Sequence, residues 1–271
     1  MADRAAEPIG LYLRLVGAQL RGQMQYKVSF LLSMLGSFLA NIIEFGAVLV
    51  IFTRIPNLAG WSLAEIALLY GLSGTSFATA EMVAAALDTF QVHIVQGTFD
   101  RVLARPRGAL FQVICEDFGL RRLGRVLQGV VVLVYALGEL RIDWTLDRVF
   151  VLVMTLVCGT IIYFCIFVLG AAFCFWITQA KEATHVVTYG GDALAQYPLD
   201  IYRGVVRRFF TFVIPLAFVN YEPSLYVLGK TDPLGLPDIT RLLSPIVAFL
   251  MVGAACVGWQ RGVGHYQSTG S

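Results

Sequence analysis

Two carboxylates, Glu44 and Glu81, stand inside long apolar runs of this sequence. An ionised side chain carried into hydrocarbon costs about 2.5–3.5 kcal/mol on insertion scales, so it faces protein or water. Ser33, Ser37, Asn41 and Glu44 follow one another at spacings of four, four and three, which puts them on one helical face. That face either lines a pathway or hydrogen-bonds a neighbouring helix. Glu81 shares its run with Gly71, Gly74, Thr75 and Ala78, a small and partly polar set suited to close helix contact. Asn41, Glu44 and Glu81 are therefore the candidates for a pathway or an interhelix polar face.

Catalytic chemistry finds no such support. His93, His185 and His265 are isolated, and the five cysteines show no CxxC or Cys/His spacing that would hold a metal or a disulfide framework. Gly229-Lys230-Thr231 looks like the end of a phosphate-binding loop, but Ser224 stands where that loop needs its first Gly. Asp117-Phe118-Gly119 lacks every companion of the kinase triplet it spells. The expectation is a chain that is not an enzyme, with no catalytic, cofactor-binding or metal-binding residue of its own.

The elements that carry these residues are membrane spans. Hydrophobic residues make up 58% of the chain and charged ones 14%, against averages of about half and about a quarter in soluble domains. A hydrocarbon core of roughly 30 Å needs about 20 apolar residues in a helix. Six runs approach this: 28–52, 63–87, 126–140, 149–177, 204–221 and 242–260. Six spans place both termini on one side. With the termini inside, fifteen of the twenty Lys and Arg fall in inner segments. The outer ones are Arg54, Arg141, Arg148, Lys230 and Arg241, the asymmetry that orients membrane proteins. Trp61, Trp144, Trp176 and Trp259 lie near span ends, as interfacial aromatics do. The amino end lacks the apolar core of a cleavable signal peptide. A net charge of +2, with basic residues flanking spans, gives no reason to expect nucleic acid. No segment between spans is long enough to fold alone, so 1–271 reads as a single all-α membrane domain.

Two stretches that do not span remain. In 9–27, Ile9, Leu13, Val16, Leu20 and Met24 recur every three or four residues with Arg14 and Arg21 alongside, the pattern of a helix lying in the membrane interface. Such a helix either anchors the amino end or also supports a partner's docking surface. The stretch 88–125 has the densest positive charge. Within it, 90–106 carries a helical pattern through Val92, Val95, Phe99 and Leu103, stopped at Pro106 and relaxed at Gly97. A short helix exposing Asp100, Arg101 and Arg105 is shaped to sit in a groove of another protein.

The run Ile94-Val-Gln-Gly97-Thr-Phe-Asp100-Arg-Val-Leu103-Ala-Arg105-Pro106 resembles the coupling region of the permease subunit of type-2 ATP-binding-cassette (ABC) exporters. The run Phe212-Val-Ile-Pro215-Leu-Ala-Phe-Val-Asn-Tyr221-Glu-Pro223 resembles that family's fifth-span exit. An amphipathic amino-terminal helix, six spans and a short cytoplasmic coupling helix complete the resemblance. It implies a permease that pairs with a second permease, the same or a related chain, in a bacterial-type cytoplasmic (inner) membrane with both termini cytoplasmic. Each would carry a separate ABC ATPase subunit holding ATP and Mg, with no cofactor in this chain. Gly97, Asp100, Arg101, Leu103, Arg105 and Pro106 would couple the two. Residues 222–240, with Glu222, Pro223, Lys230, Pro233 and Pro237, would cap the exit.

The aromatic-rich fourth run (Tyr163, Phe164, Phe167, Phe173) favours an amphipathic or lipid-like cargo, and membrane lipid is an expected partner. The alternative is an ion-coupled secondary transporter using Glu44 and Glu81. That class normally shows paired broken helices and several midplane charges. A lipid-modifying enzyme would need an interfacial acid, His or metal constellation, which this sequence lacks.

Overall fold

The computed structural model describes residues 3–177, 181–231 and 237–267, with side chains at 3–9, Leu13 and Lys181 left aside. Its helices are α1 (Asp3–Met24), α2 (Lys27–Phe52), α3 (Leu63–Val83), α4 (Ala85–Asp88), α5 (Gln91–Val95), α6 (Phe99–Leu103), α7 (Ala109–Ile114), α8 (Leu123–Glu139), α9 (Leu146–Phe173), α10 (Lys181–Ala195), α11 (Gly204–Arg208), α12 (Tyr221–Leu228) and α13 (Ser244–His265). Among the described residues there is no strand, only one isolated bridge between Leu58 and Trp61. The class expected from composition is the class observed: an all-helical protein of membrane-spanning character.

Four helices, α2, α3, α9 and α13, are long and apolar enough to cross a bilayer. A fifth arises if Gly204–Val213 and Leu216–Leu228 count as one span, but that pair is bent by 73°. The uninterrupted run expected over 204–221 is thus broken. A π-helical turn at Phe209–Val213 ends where Ile214 turns extended (φ −115°, ψ 96°). Pro215 disfavours helix at the residue before it and has no N–H to offer. The segment taken for one apolar helix is a bend.

Glu65, a carboxylate near the start of the second apolar run, caps its helix. Its carboxylate accepts from the Ser62 backbone N–H at 2.7 Å while the Ser62 hydroxyl accepts from the Glu65 N–H at 3.4 Å. This capping box satisfies the first orphan donors of α3. α3 is the most enclosed helix, and glycines let its neighbours close on it. A methyl group added at Gly71 would fall 2.8 Å from Leu133, and one at Gly129 would fall 2.6 Å from the Thr75 hydroxyl. The small face of α3 is therefore a contact face against α8.

α13 meets α9 in the same way. A methyl at Gly258 would lie 2.9 Å from Leu169 and one at Gly262 2.5 Å from the Phe175 ring. Small residues four apart allow this approach. Gly262→Leu is expected to push α13 off α9 at a cost of about 1–3 kcal/mol, seen as a lower melting temperature in detergent. Gly253→Leu, where a methyl would meet nothing within 4 Å, is the neutral control.

The stretch 178–203, read as an inner connection, contains α10, which lies antiparallel to α3. His185 lies 3.3 Å from Asp88. Tyr189 bonds Glu81 at 2.8 Å, and Ser73 bonds Asp192 at 3.1 Å. Asn220 bridges the carbonyls of Leu69 and Ala195, and the Trp61 indole donates to Asp200 at 3.1 Å. Glu182, His185, Tyr189 and Asp192 make α10 too polar to read as a span. The 204–228 segment begins and ends beside Asp200, with Arg207 at 3.9 Å on the way in and the Tyr221 hydroxyl bonded to it on the way out. It enters and leaves at the Trp61 end of the bundle.

α1 lies at the opposite end and begins earlier than the expected 9–27. Gln19 donates to the carbonyls of Cys115 and Glu116 at 2.8 and 2.9 Å, and Gln23 to Phe118 at 3.1 Å. Val16 is buried on the same side while Met24 is half exposed. Trp61 and Trp259, near the ends of α3 and α13, are buried, whereas Trp144 and Trp176 are exposed. In the expected external segment 222–240, α12 forms the first part, and Pro233 lies outside the described residues.

Candidate coupling surface and a buried charge network

Residues 90–106 form two short helices rather than one. Gly97 sits between α5 and α6 with φ +65°, a left-handed conformation that side-chain-bearing residues adopt only with strain. The break shifts the helical phase. Of the stripe read from sequence, only Phe99 is buried, while Val92, Val95 and Leu103 are exposed. The inward set is Phe90, Ile94, Phe99 and Val102. Arg101, Arg105 and Pro106 are exposed as expected. Asp100 is not: it is half-buried against Tyr266. Burial, with the Asp100 carboxylate second, raises the Tyr266 phenol above its ordinary range.

Side chains within and beyond this stretch hold its shape. His93 Nδ1 lies 2.8 Å from the Thr98 hydroxyl and its Nε2 2.7 Å from Glu116, so the imidazole ties α5 across the Gly97 break. Gln112 donates to the carbonyls of Val102 and Arg107 at 3.0 and 2.8 Å. The same segment that carries Glu116 is gripped by α1. The amino-terminal helix therefore braces the exposed loop.

Beneath the loop is an aromatic cluster. Phe90 and Phe99 meet each other at 5.3 Å between ring centroids and each meets Phe175 at 5.2 Å. Trp259 lies 5.2 Å from Phe90, and Tyr266 5.1 Å from Phe99. Edge-to-face pairs of this kind add about 0.5–1.5 kcal/mol each beyond burial. Phe175 follows α9, and Trp259 and Tyr266 belong to α13 and its end. The exposed loop is thus packed directly onto two long helices.

The second arrangement lies deeper. Arg125 on α8 reaches Asp192 at 2.7 Å and Glu81 at 3.5 Å, with its guanidinium 4.6 Å over the Phe77 ring. Arg122 reaches Glu81 and Asp88, both at 3.2 Å. Tyr189 donates to Glu81 at 2.8 Å and Asp88 at 3.0 Å. Asp192 also takes Ser73 at 3.1 Å, Tyr163 at 3.3 Å and Gln196 at 3.1 Å. Buried charges persist only when paired and hydrogen-bonded in this manner. The network crosslinks α3, α8 and α10.

Of the residues singled out from sequence, Glu81 belongs to this network, while Asn41 and Glu44 do not. Asn41 donates to the Ser37 carbonyl of its own helix at 2.7 Å. Glu44 is exposed on α2 and makes no hydrogen bond or ion pair among the described residues. Glu44 nevertheless lies within electrostatic reach of Arg125, the cation that pairs with Glu81, and of Tyr70 and Tyr197. Arg122, Arg125, Tyr189 and Asp192 fall between the apolar runs and read from sequence as loop residues. A signal existed: Glu81 and Asp88 are seven apart, Arg122 and Arg125 three, and Tyr189 and Asp192 three, so each pair shares a helical face.

These features define a multi-pass helical membrane protein with a mixed apolar and basic surface at one end of its bundle. A family model described as ABC-2 family transporter protein matches residues 38–270, and the chain belongs to that family. It is accordingly a membrane subunit of an ABC transporter, in a family whose membrane subunits generally partner with an ABC ATPase. No curated protein and no solved structure matches the chain.

Proposed function

We propose that this chain is the permease half of an ATP-driven exporter, and that its α5–α6 surface receives a separate ATPase subunit. ATP and Mg act on that partner. The observation that carries this reading is the pairing of an exposed face (Val92, Val95, Arg101, Leu103, Arg105) with an aromatic underside locked to α9 and α13. A force applied to the loop moves the long helices, because close-packed rings do not deform independently. Gly97 sets the loop's bend, Asp100 ties it to Tyr266, and Pro106 closes it.

On this topology the α5–α6 end is cytoplasmic and the Trp61 end faces out. α2, α3, α8, α9, α10 and α13 are the six crossings, and 204–228 is a re-entrant hairpin from the outer side. Arg203, Arg207 and Arg208 then move outward, leaving twelve of the twenty basic residues inside and eight outside. The bias keeps its sign. Pairing with a second permease and an amphipathic cargo complete the reading, both resting on the family resemblance.

The test is purification of the chain from its native membrane in mild detergent, with mass spectrometry of what accompanies it. A stoichiometric soluble subunit containing Gly-x-x-x-x-Gly-Lys-Ser/Thr is expected. If the chain comes alone while its spans remain folded, the coupling assignment fails.

A further inference from the structure

We propose that the outer hairpin, together with the groove under its tip, binds one anionic phospholipid of the outer leaflet. The inference rests on the topology just given. A cavity of about 440 Å³ lies between α9, α10, α13 and the hairpin tip. Its walls include Ile166, Leu169, Val187, Ile214 and Met251, and it runs from the hairpin tip toward Phe173 and Thr184 near the inner ends of α9 and α10. Thr188 also lines it, but its hydroxyl donates to the Thr184 carbonyl at 3.0 Å, within its own helix. An apolar cavity of this kind holds hydrocarbon rather than water.

The groove continues along the hairpin surface. Val213, 66% exposed, lines the groove and adjoins the exposed Phe212 and Phe209. Arg208 and Arg203 follow at the hairpin's outer end, both exposed and without an ion pair among the described residues. The neighbouring Arg207 is the one that Asp200 holds, at 3.9 Å. Arg208 and Val213 are five residues apart, roughly 7 Å along a helix. That matches the step from a lipid phosphate to the upper part of its acyl chain. Guanidinium groups recognise phosphate oxygens in bidentate fashion. Their position at the outer end, where basic residues are disfavoured, is accounted for by an anionic headgroup there.

The probe is the purified full chain, delipidated and exposed to equal amounts of phosphatidylglycerol and phosphatidylcholine, with retained lipid counted by native mass spectrometry. Two basic side chains at about 1 kcal/mol each give a preference of roughly tenfold to thirtyfold for phosphatidylglycerol. Arg203→Gln with Arg208→Gln is expected to erase the preference without changing the melting temperature. Val187→Phe, which fills the groove, is expected to lower retention of both lipids. Equal retention by the unaltered chain means annular lipid only, and a preference that survives the double substitution equally overturns the site. Labelling of Arg203→Cys in intact cells by a membrane-impermeant maleimide checks sidedness separately. Without labelling the topology and the outer-leaflet assignment both fall, whereas a labelled chain lacking the preference refutes the lipid site alone.

Discussion

Arg101→Glu combined with Arg105→Glu is expected to detach the ATPase from this chain while leaving the membrane bundle intact. Both side chains are exposed, and neither makes a hydrogen bond or ion pair among the described residues. Their replacement therefore disturbs no internal contact, and surface changes of this sort alter stability by only about 0.5 kcal/mol. At an interface the same change reverses two charges against a complementary patch, where like-charge juxtaposition costs several kcal/mol. The expected outcome is at least a hundredfold loss of ATPase binding, about 2.7 kcal/mol, with an unchanged melting temperature. Co-purification and permease-stimulated ATP hydrolysis measure it. Normal binding and stimulation would falsify the coupling assignment. Asp100 calls for a different expectation. It is half-buried against Tyr266, so Asp100→Arg also disturbs the underside of the loop and is a less selective probe.

Arg125→Met should be among the most damaging single changes in the bundle. It removes the cation between Asp192 and Glu81, which are 1% and 8% exposed in their side chains. Breaking a buried pair by removing one partner costs about 3–5 kcal/mol, because the other charge stays buried without compensation. Arg122 still reaches Glu81, so the loss falls mainly on Asp192. A large drop in melting temperature in detergent and reduced accumulation in the membrane are expected. Arg125→Met with Asp192→Leu removes both charges and is expected to recover most of the loss, since apolar replacement of a buried pair is often near neutral. A double substitution that loses as much as the Arg125→Met and Asp192→Leu losses added together would show that the two sites do not interact. Recovery of stability without recovery of transport would place the pair in the working cycle as well as in the fold.

The helical class and the membrane setting are legible in the chain, because each rests on local pattern. Apolar runs of spanning length and a basic bias between them are properties of neighbouring residues. The phase of 90–106 was not legible. A single φ of +65° at Gly97 rotates α6 relative to α5, turning Val92, Val95 and Leu103 out and Phe90, Ile94 and Val102 in. No periodicity count carries across such a break.

α10 and the hairpin show the same limit at larger scale. A helix carrying Tyr189 and Asp192 reads as a loop until Glu81 and Arg125 are brought against it from residues 108 and 67 positions away in sequence. Conversely, 204–221 reads as a span by apolarity, yet Pro215 and the contacts at Asp200 fold it back. Composition determined that the chain lives in a membrane and which end of it is basic. Tertiary packing decided which polar residues are buried and which apolar ones turn back, because the energy of a buried charge depends on partners remote in sequence.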